Sequence, residues 1–455
     1  MTTTLPTAAD RLPVPPRVPG SMPIIGHLFP LLNQRLEFLR KARSYGPVVT
    51  VRLGRETAYL INDHELLRRV LIADAASFKR GIHFQKARSV AGDGIITASG
   101  AFHRKQRRMM LPAFHHKRIK QYADHMRDHA VTRIDSWPED RPIALKSEFI
   151  SLATTVATRA LFGTELAADA VTVVERALPV LTRGVSVRVL DPTGLVEKLP
   201  TAANRLFERT MAELDELIST VVQRYRTSGG GDDLLSVFIA ARDDETNTAM
   251  TDTQIRDEII SILLSSAETT ALTLTWTSYL VGREPEVQRR LWEEVNTVLA
   301  GRAPGYEDLA QLVYMRRVFR ETLRLYPPTY FLSRTAVTDT ELGGYRIPAG
   351  STVLYSFYAQ HRDPTLFREP NTFDPDRWLP ERADDVTPAA YLPFGEGAHR
   401  CVGEGFAMAE AMTVFATLLS KRELHPEPDA PPVCEVGTVT LAPSHVAMIA
   451  PRRAG

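Results

Sequence analysis

The 455-residue chain has only two cysteines, Cys401 and Cys434. So few sulfurs cannot build a disulfide framework, a cysteine-rich zinc site or an iron–sulfur cluster, and their scarcity fits a reducing cytoplasm. Net charge is equally sparse: 55 Lys and Arg against 54 Asp and Glu leave +1. Such a balance gives no reason to expect a nucleic-acid partner. No charged-then-apolar leader opens the chain, and Leu12–Pro23 is a proline-rich run that favours extended backbone, so no membrane anchor is expected there. Internal repeats, linkers and Gly-rich dinucleotide or flavin fingerprints are also missing.

What is present is ordinary for a large core: 44% apolar and 24% charged residues. Pro47–Leu53 and Thr57–Ile61 are rich in β-branched residues around Gly54 and predict a hairpin. From about Glu65 to Leu325 the pattern is helical, with breaks at Pro138, Pro192, Gly229–Gly231 and Gly282–Pro285. Strand and turn texture follows Pro327-Pro328, before a last helix from about Val402 to Leu419. The reading is a mainly α protein with a small β region, a flexible segment 1–20 and one domain over 21–455.

The sharpest pattern is Phe394-Gly-Glu-Gly-Ala-His-Arg-Cys401-Val-Gly403, in which a glycine-rich turn delivers one cysteine to the start of an apolar helix. Gly395 and Gly397 permit tight backbone conformations, and Gly403 leaves room for a flat ligand. The helix start favours a thiolate over a thiol. Met408, Met412, Phe415 and Leu419 share the buried face of that helix, and Lys421 and Arg422 suit its C-terminal end. A lone cysteine is more often a small buried hydrophobe, which is how Cys434, leading into a strand, is read.

The segment resembles the signature of the cytochrome P-450 family: Phe, two residues, Gly, three residues, Cys, one residue, Gly. The resemblance extends along nearly the whole chain. Glu321-Thr-Leu-Arg324 is similar to the family's Glu-x-x-Arg pair, with Arg377 as the third member of a buried ion network. Asp252–Leu280 is a long helix opened by a Thr251/Gln254 capping box, and from Ile259 to Val281 its only charge is Glu268. It is long enough to span a membrane, but its central serines and threonines fit a core helix better. Within it Ser265-Ser-Ala-Glu268-Thr269-Thr270 resembles the oxygen-activation segment, with Ser266 where glycine is usual; a mid-helix hydroxyl can open a polar notch there. His103 and Arg107 lie four apart, as in the family's His-x-x-x-Arg propionate contact, and Arg334 and His399 match the other contacts.

The resemblance implies the family's triangular helical prism, with haem b between the long central helix and the cysteine-loop helix. Cys401 would be the axial ligand of the iron, Phe394 and Gly403 would flank it, and Glu268 and Thr269 would deliver protons. It implies a monooxygenase that takes dioxygen and two NAD(P)H-derived electrons from a separate ferredoxin and ferredoxin reductase. Lys105 and Arg108, with His116, Lys117 and Arg118, are the expected acidic-partner patch. The expected pocket walls, 82–96, 260–267, 330–332 and 441–443, are mostly apolar, and imply a hydrophobic small-molecule substrate. A terpenoid of specialised metabolism is expected, with a fatty acid, or a reaction without net oxygen insertion, as alternatives. A bacterial, cytoplasmic monomer completes the expectation.

Overall fold

The computed structural model describes residues 12–191, 194–228 and 231–453. Pro192 and Gly229-Gly230 therefore lie outside the described residues, as does 1–11 of the leading segment. Within that segment, Thr50 donates to the Pro16 carbonyl and Val18 to the Thr50 carbonyl, so the proline-rich run lies extended along a strand. The chain divides into two compact units, each discontinuous in sequence.

One unit takes Met1–Gln85, Arg324–Thr372 and Asp376–Cys401. Its frame is a five-stranded sheet. The expected hairpin forms as Val48–Leu53 and Glu56–Ile61 with Leu53 opposite Glu56, and Gly54 takes the left-handed conformation at the turn. Glu56–Ile61 then pairs in parallel with Thr352–Ser356, followed by Phe331–Ala336 and Phe78–Arg80. Parallel pairing needs a long crossover, and here nearly three hundred residues of mostly helical chain intervene.

The other unit takes Lys86–Leu323, Phe373–Pro375 and Val402–Gly455 and is helical. Its axis is Asp252–Arg283, hereafter the central helix. The capping box forms as expected: Thr251 N–H donates to Gln254 Oε1 at 2.9 Å, and Gln254 N–H to Thr251 Oγ1 at 3.2 Å. The helix is long and apolar enough to cross a membrane, yet 72% of that stretch is buried by the protein's own helices, so it serves as a core element. It packs along Leu145–Leu190, which is broken at Gly163 by a left-handed backbone angle. The cysteine helix, Glu404–Lys421, packs on His116–Asp135, and the rings of Phe415 and Phe319 meet edge-on at 5.6 Å. Lys421 pairs with Asp135, while Arg422 is wholly buried and donates to the carbonyls of Ile134, Trp137 and Ala450. Cys434 directly precedes the short strand Glu435–Gly437, but it is exposed rather than the buried apolar side chain its sequence context suggested.

A wholly buried imidazole braces the first unit. His361 Nε2 accepts from Leu392 N–H at 3.0 Å, so Nδ1 carries the proton and donates to the Arg324 carbonyl at 3.2 Å. Burial, reinforced by Arg324 and Arg362, lowers its pKa from 6.5 to about 3. Between those values the unfolded chain binds a proton that the folded chain refuses, so stability is lost as pH falls below 6.5. Over the interval from pH 6.5 to 5 this amounts to about 2 kcal/mol. His361→Gln, though less stable at neutral pH, should show a correspondingly shallower acid dependence of its urea midpoint. Equal slopes in the two proteins would place the acid sensitivity elsewhere.

Candidate active site

Cys401 stands at the end of a loop whose shape is fixed by main-chain bonds. Gly395 N–H donates to Leu392 O at 3.0 Å, Arg400 N–H to Gly397 O at 3.1 Å, and Cys401 N–H to Phe394 O at 2.9 Å. The two loop glycines are needed for different reasons. Both have left-handed backbone angles, +69° at Gly395 and +71° at Gly397. A Cβ at Gly395 would meet nothing closer than 3.8 Å, whereas one at Gly397 would lie 2.2 Å from the Leu71 carbonyl oxygen. Arg68 holds Glu396 with Nε–Oε2 at 3.1 Å, pinning the loop from the outside. The Cys401 thiol emerges exposed, two residues before Gly403 caps the cysteine helix.

Behind this loop, Arg324 and Arg377 are buried to 0% and 1% exposure. Arg324 donates to the carbonyls of His361 (2.8 Å), Pro370 (2.6 Å) and Thr372 (3.1 Å). Arg377 donates to the carbonyls of Arg368, Glu369 (3.0 Å) and Thr372 (3.4 Å). Glu321, also wholly buried, accepts from Asp374 N–H at 3.1 Å. All three expected members therefore act on one stretch, 368–374, largely through main-chain groups. Sequence reasoning anticipated the residues but not His361, whose single histidine letter carries no local pattern.

On the central helix, residues from Ile255 to Gly282 are buried almost throughout, except for a window in which Ser265 is exposed and Leu264, Ser266, Glu268 and Thr269 are half-buried. Thr269 Oγ1 donates to the Ser265 carbonyl at 2.6 Å, and Ser265 Oγ donates to the Ser261 carbonyl at 2.7 Å. These bonds draw on carbonyls one turn earlier, yet the helix stays continuous. The Ser266 hydroxyl is buried without a protein partner. Glu268 accepts from Thr440 Oγ1 at 3.0 Å, a contact across 172 residues that no local motif announces.

His103 and Arg107 share the helix Gly100–Met110, as their spacing predicts, and His103 is 1% exposed. Arg334, on strand Phe331–Ala336, is 4% exposed, donates to the Ser333 carbonyl at 3.2 Å and lies 5.6 Å from the Tyr355 ring centroid. His399 is half-buried in the cysteine loop. Of the expected pocket walls, Ile260 and Leu441 are closed inside the protein, while Ile96, Leu264 and Leu332 remain partly accessible.

The expected partner patch needs correction. Lys105 Nζ lies 2.8 Å from Thr248 Oγ1 and 3.7 Å from Asp243, Arg108 reaches Glu245 at 3.1 Å, and Arg118 reaches Asp232 at 2.9 Å. Carboxylates of the same chain neutralise these cations, so their charge is not available to a partner in the way the sequence suggested. His115, His116 and Lys117 remain exposed beside them.

A family model described as Cytochrome P450 matches residues 16–449. The chain belongs to the cytochrome P450 family. This P450 is 43% identical over 412 residues to cyclooctatin synthase of Streptomyces melanosporofaciens, covering 90% of each chain. It is 39% identical to cyclooctat-9-en-7-ol 5-monooxygenase of the same organism, covering 90% and 89%, and 35% identical to pentalenene oxygenase of Streptomyces avermitilis, covering 93% of each. The crystal structure of the cytochrome P450DA heme domain matches with a TM-score of 0.87 at 26% identity, covering 98% and 99% of the two chains.

The P450 is a haem-thiolate monooxygenase, and its residues fit that group. An exposed thiol on a fixed loop precedes a helix whose first turns, Val402 to Met408, are at least partly accessible except for buried Phe406 and carry one charged side chain, Glu404. In one unit buried His103 and half-buried Arg107 share a helix, and in the other Arg334 is buried and His399 half-buried; each is a donor type that a carboxylate accepts. Gly397→Ala should displace the loop through its carbonyl collision, whereas Gly395→Ala adds only backbone strain of about 1–2 kcal/mol. The purified Gly397 variant should accordingly show a much smaller red-shifted Soret band in the reduced carbon monoxide complex than the Gly395 variant. The reverse order would mean that space around the loop does not govern thiolate ligation.

Proposed function

We propose that this P450 hydroxylates or otherwise oxidises a terpenoid of specialised metabolism, and that Cys401 would hold the iron of haem b through its thiolate. The observation that carries this reading is the exposed thiol of Cys401 on a loop whose shape is fixed by its own main-chain bonds. Haem bound there supplies the oxidising chemistry for inserting one atom of dioxygen into an unactivated C–H bond. The balance is substrate C–H, dioxygen, two electrons and two protons giving C–OH and water.

The protein's own part is placement and protons. His103, Arg107, Arg334 and His399 hold the two propionates, Phe394 and Gly403 flank the sulfur, and Glu321, Arg324 and Arg377 keep the surrounding backbone in place. Because the Thr269 proton is committed to the Ser265 carbonyl, its oxygen serves as an acceptor that positions water, and Glu268, steadied by Thr440, relays the proton. The substrate class is supported by the relatives named for cyclooctat-9-en-7-ol and pentalenene, both terpenoids, and by the apolar character of Ile96, Leu264 and Leu332. Residues 21–455 act as one catalytic domain in a cytoplasmic monomer. Electrons come from NAD(P)H through a ferredoxin reductase and a ferredoxin, which docks near His115, His116 and Lys117.

Spectral titration of the oxidised protein tests the substrate class. Cyclic terpenes should displace water from the iron and shift the Soret band to shorter wavelength at micromolar concentrations, and straight-chain fatty acids should not. The opposite preference would replace the terpenoid reading with a fatty-acid one. Thr269→Ala tests the proton relay. Helix propensity improves slightly, so haem content should be normal. Product per reductant consumed should drop, and hydrogen peroxide should rise in its place, since positioned proton transfer contributes about a hundredfold or more. Unchanged coupling would transfer the role to Ser265, Ser266 or Thr270.

A further inference from the structure

Between the helices Ile82–Ala91 and Gly100–Met110 the chain runs over the first turns of the central helix, held there by two adjacent carboxylates. Asp257 Oδ2 accepts from Asp93 N–H at 2.8 Å, and Glu258 Oε2 accepts from Ile95 N–H at 2.8 Å. Arg256 joins Asp257 at 2.9 Å to Asp215 at 2.8 Å and also reaches the Val90 carbonyl at 3.4 Å. The contact is so close that only glycine backbone fits. A Cβ at Gly92, where φ is +54°, would lie 2.2 Å from the Asp257 carboxylate. At Gly94 it would lie 2.1 Å from Ser261 Oγ and 2.4 Å from the Asp257 carbonyl oxygen. Ser261 is wholly buried there, with a hydroxyl that has no protein partner. Thr97 ties the loop internally through its bond to the Gly92 carbonyl at 2.6 Å.

Neither carboxylate belongs to the haem contacts or the proton relay. What they hold is a loop whose next residue, Ile96, remains partly accessible in the expected pocket wall. We propose that Asp257 and Glu258 are positioning residues for substrate selection, fixing the 92–96 loop, and with it Ile96, against the central helix. This rests on the reading of the chain as an oxidase of a hydrophobic substrate. Ordering a loop through carboxylate acceptors makes its hold dependent on proton occupancy. Burial, with a smaller push from Asp257, raises Glu258 from 4.5 to about 8. The other charges close by are Arg256, turned toward Asp215, and Asp93, paired with Arg88. When the loop lifts and Glu258 meets water, its pKa returns toward the ordinary carboxylate value and a proton is released. Lifting is therefore favoured about tenfold per pH unit between about 4.5 and about 8, and levels off above that.

Hydrogen exchange on the haem-loaded protein, followed by mass spectrometry for peptides spanning 90–98 and corrected for intrinsic rates, reads the hold directly. Wild-type protection should fall from pH 6 to 8 and then flatten. Glu258→Gln keeps an acceptor oxygen and cannot ionise, so it should show no pH dependence and should be about thirtyfold better protected than wild type at pH 6. Glu258→Leu cannot ionise either but also removes the acceptor, so it should be about tenfold less protected than Glu258→Gln at every pH, with the remainder of the central helix unchanged. In the same three proteins, spectral dissociation constants for imidazole and 4-phenylimidazole separate iron access from pocket shape. The Leu variant should weaken the phenyl compound several-fold relative to imidazole, and the Gln variant should not. Equal protection in Glu258→Leu and Glu258→Gln, or an unaltered imidazole to phenylimidazole ratio, would overturn the proposal. Neither measurement uses a terpenoid, so failure of the substrate assignment shows up only in the terpene titration.

Discussion

Two buried guanidinium groups, those of Arg324 and Arg377, end on one main-chain carbonyl, that of Thr372. A cation inside a protein is expensive unless its donors are used, and these two use theirs on the backbone of a segment with little regular structure. Stripping either side chain would leave several buried carbonyls without donors, each worth about 1–3 kcal/mol. Arg324 also donates to the His361 carbonyl and its own carbonyl accepts from the His361 ring, and His361 in turn reaches Leu392, two residues before the loop of Cys401 begins. The thiol's position is thus inherited from a chain of main-chain hydrogen bonds.

Features written into short stretches were legible in the sequence. The Phe394–Gly403 loop, the Thr251/Gln254 cap, the hairpin at Gly54 and the His103/Arg107 spacing depend on neighbours within a turn, and each appears in the structure where its pattern placed it. Long-range partners were not legible. His361, the Thr440 contact to Glu268 and the hold of Asp257 and Glu258 on residues 93 and 95 are single letters whose meaning comes from elements more than thirty residues away. The basic helix shows the error in the other direction. Lys105 and Arg108 read as a surface for a partner because the loop carrying Asp243 and Glu245, over a hundred residues later, gives no sign in sequence that it folds back onto them.

A further division concerns what kinds of side chain do the work. Arg324, Arg377 and Arg422 serve carbonyls, and some buried or half-buried carboxylates serve N–H groups: Glu258 for Ile95, and Glu294 for Tyr314 and Met315 at 2.6 and 2.9 Å. In these cases charge finishes backbone that sheets and helices leave unfinished. Such contacts resist salt better than surface ion pairs, being sheltered from the solvent ions that screen exposed charges.

The hydroxyls of the central helix form a regular stripe: Ser265, Thr269, Thr273 and Thr277 each donate to the carbonyl four residues earlier. Every proton on that stripe is spent, so the face it turns outward at Ser265 and Thr269 consists of lone pairs. Solvent molecules settling against it have one favourable orientation, hydrogens toward the helix and oxygen away. The stripe therefore polarises its own hydration layer, and does so with neutral groups whose setting does not change with pH.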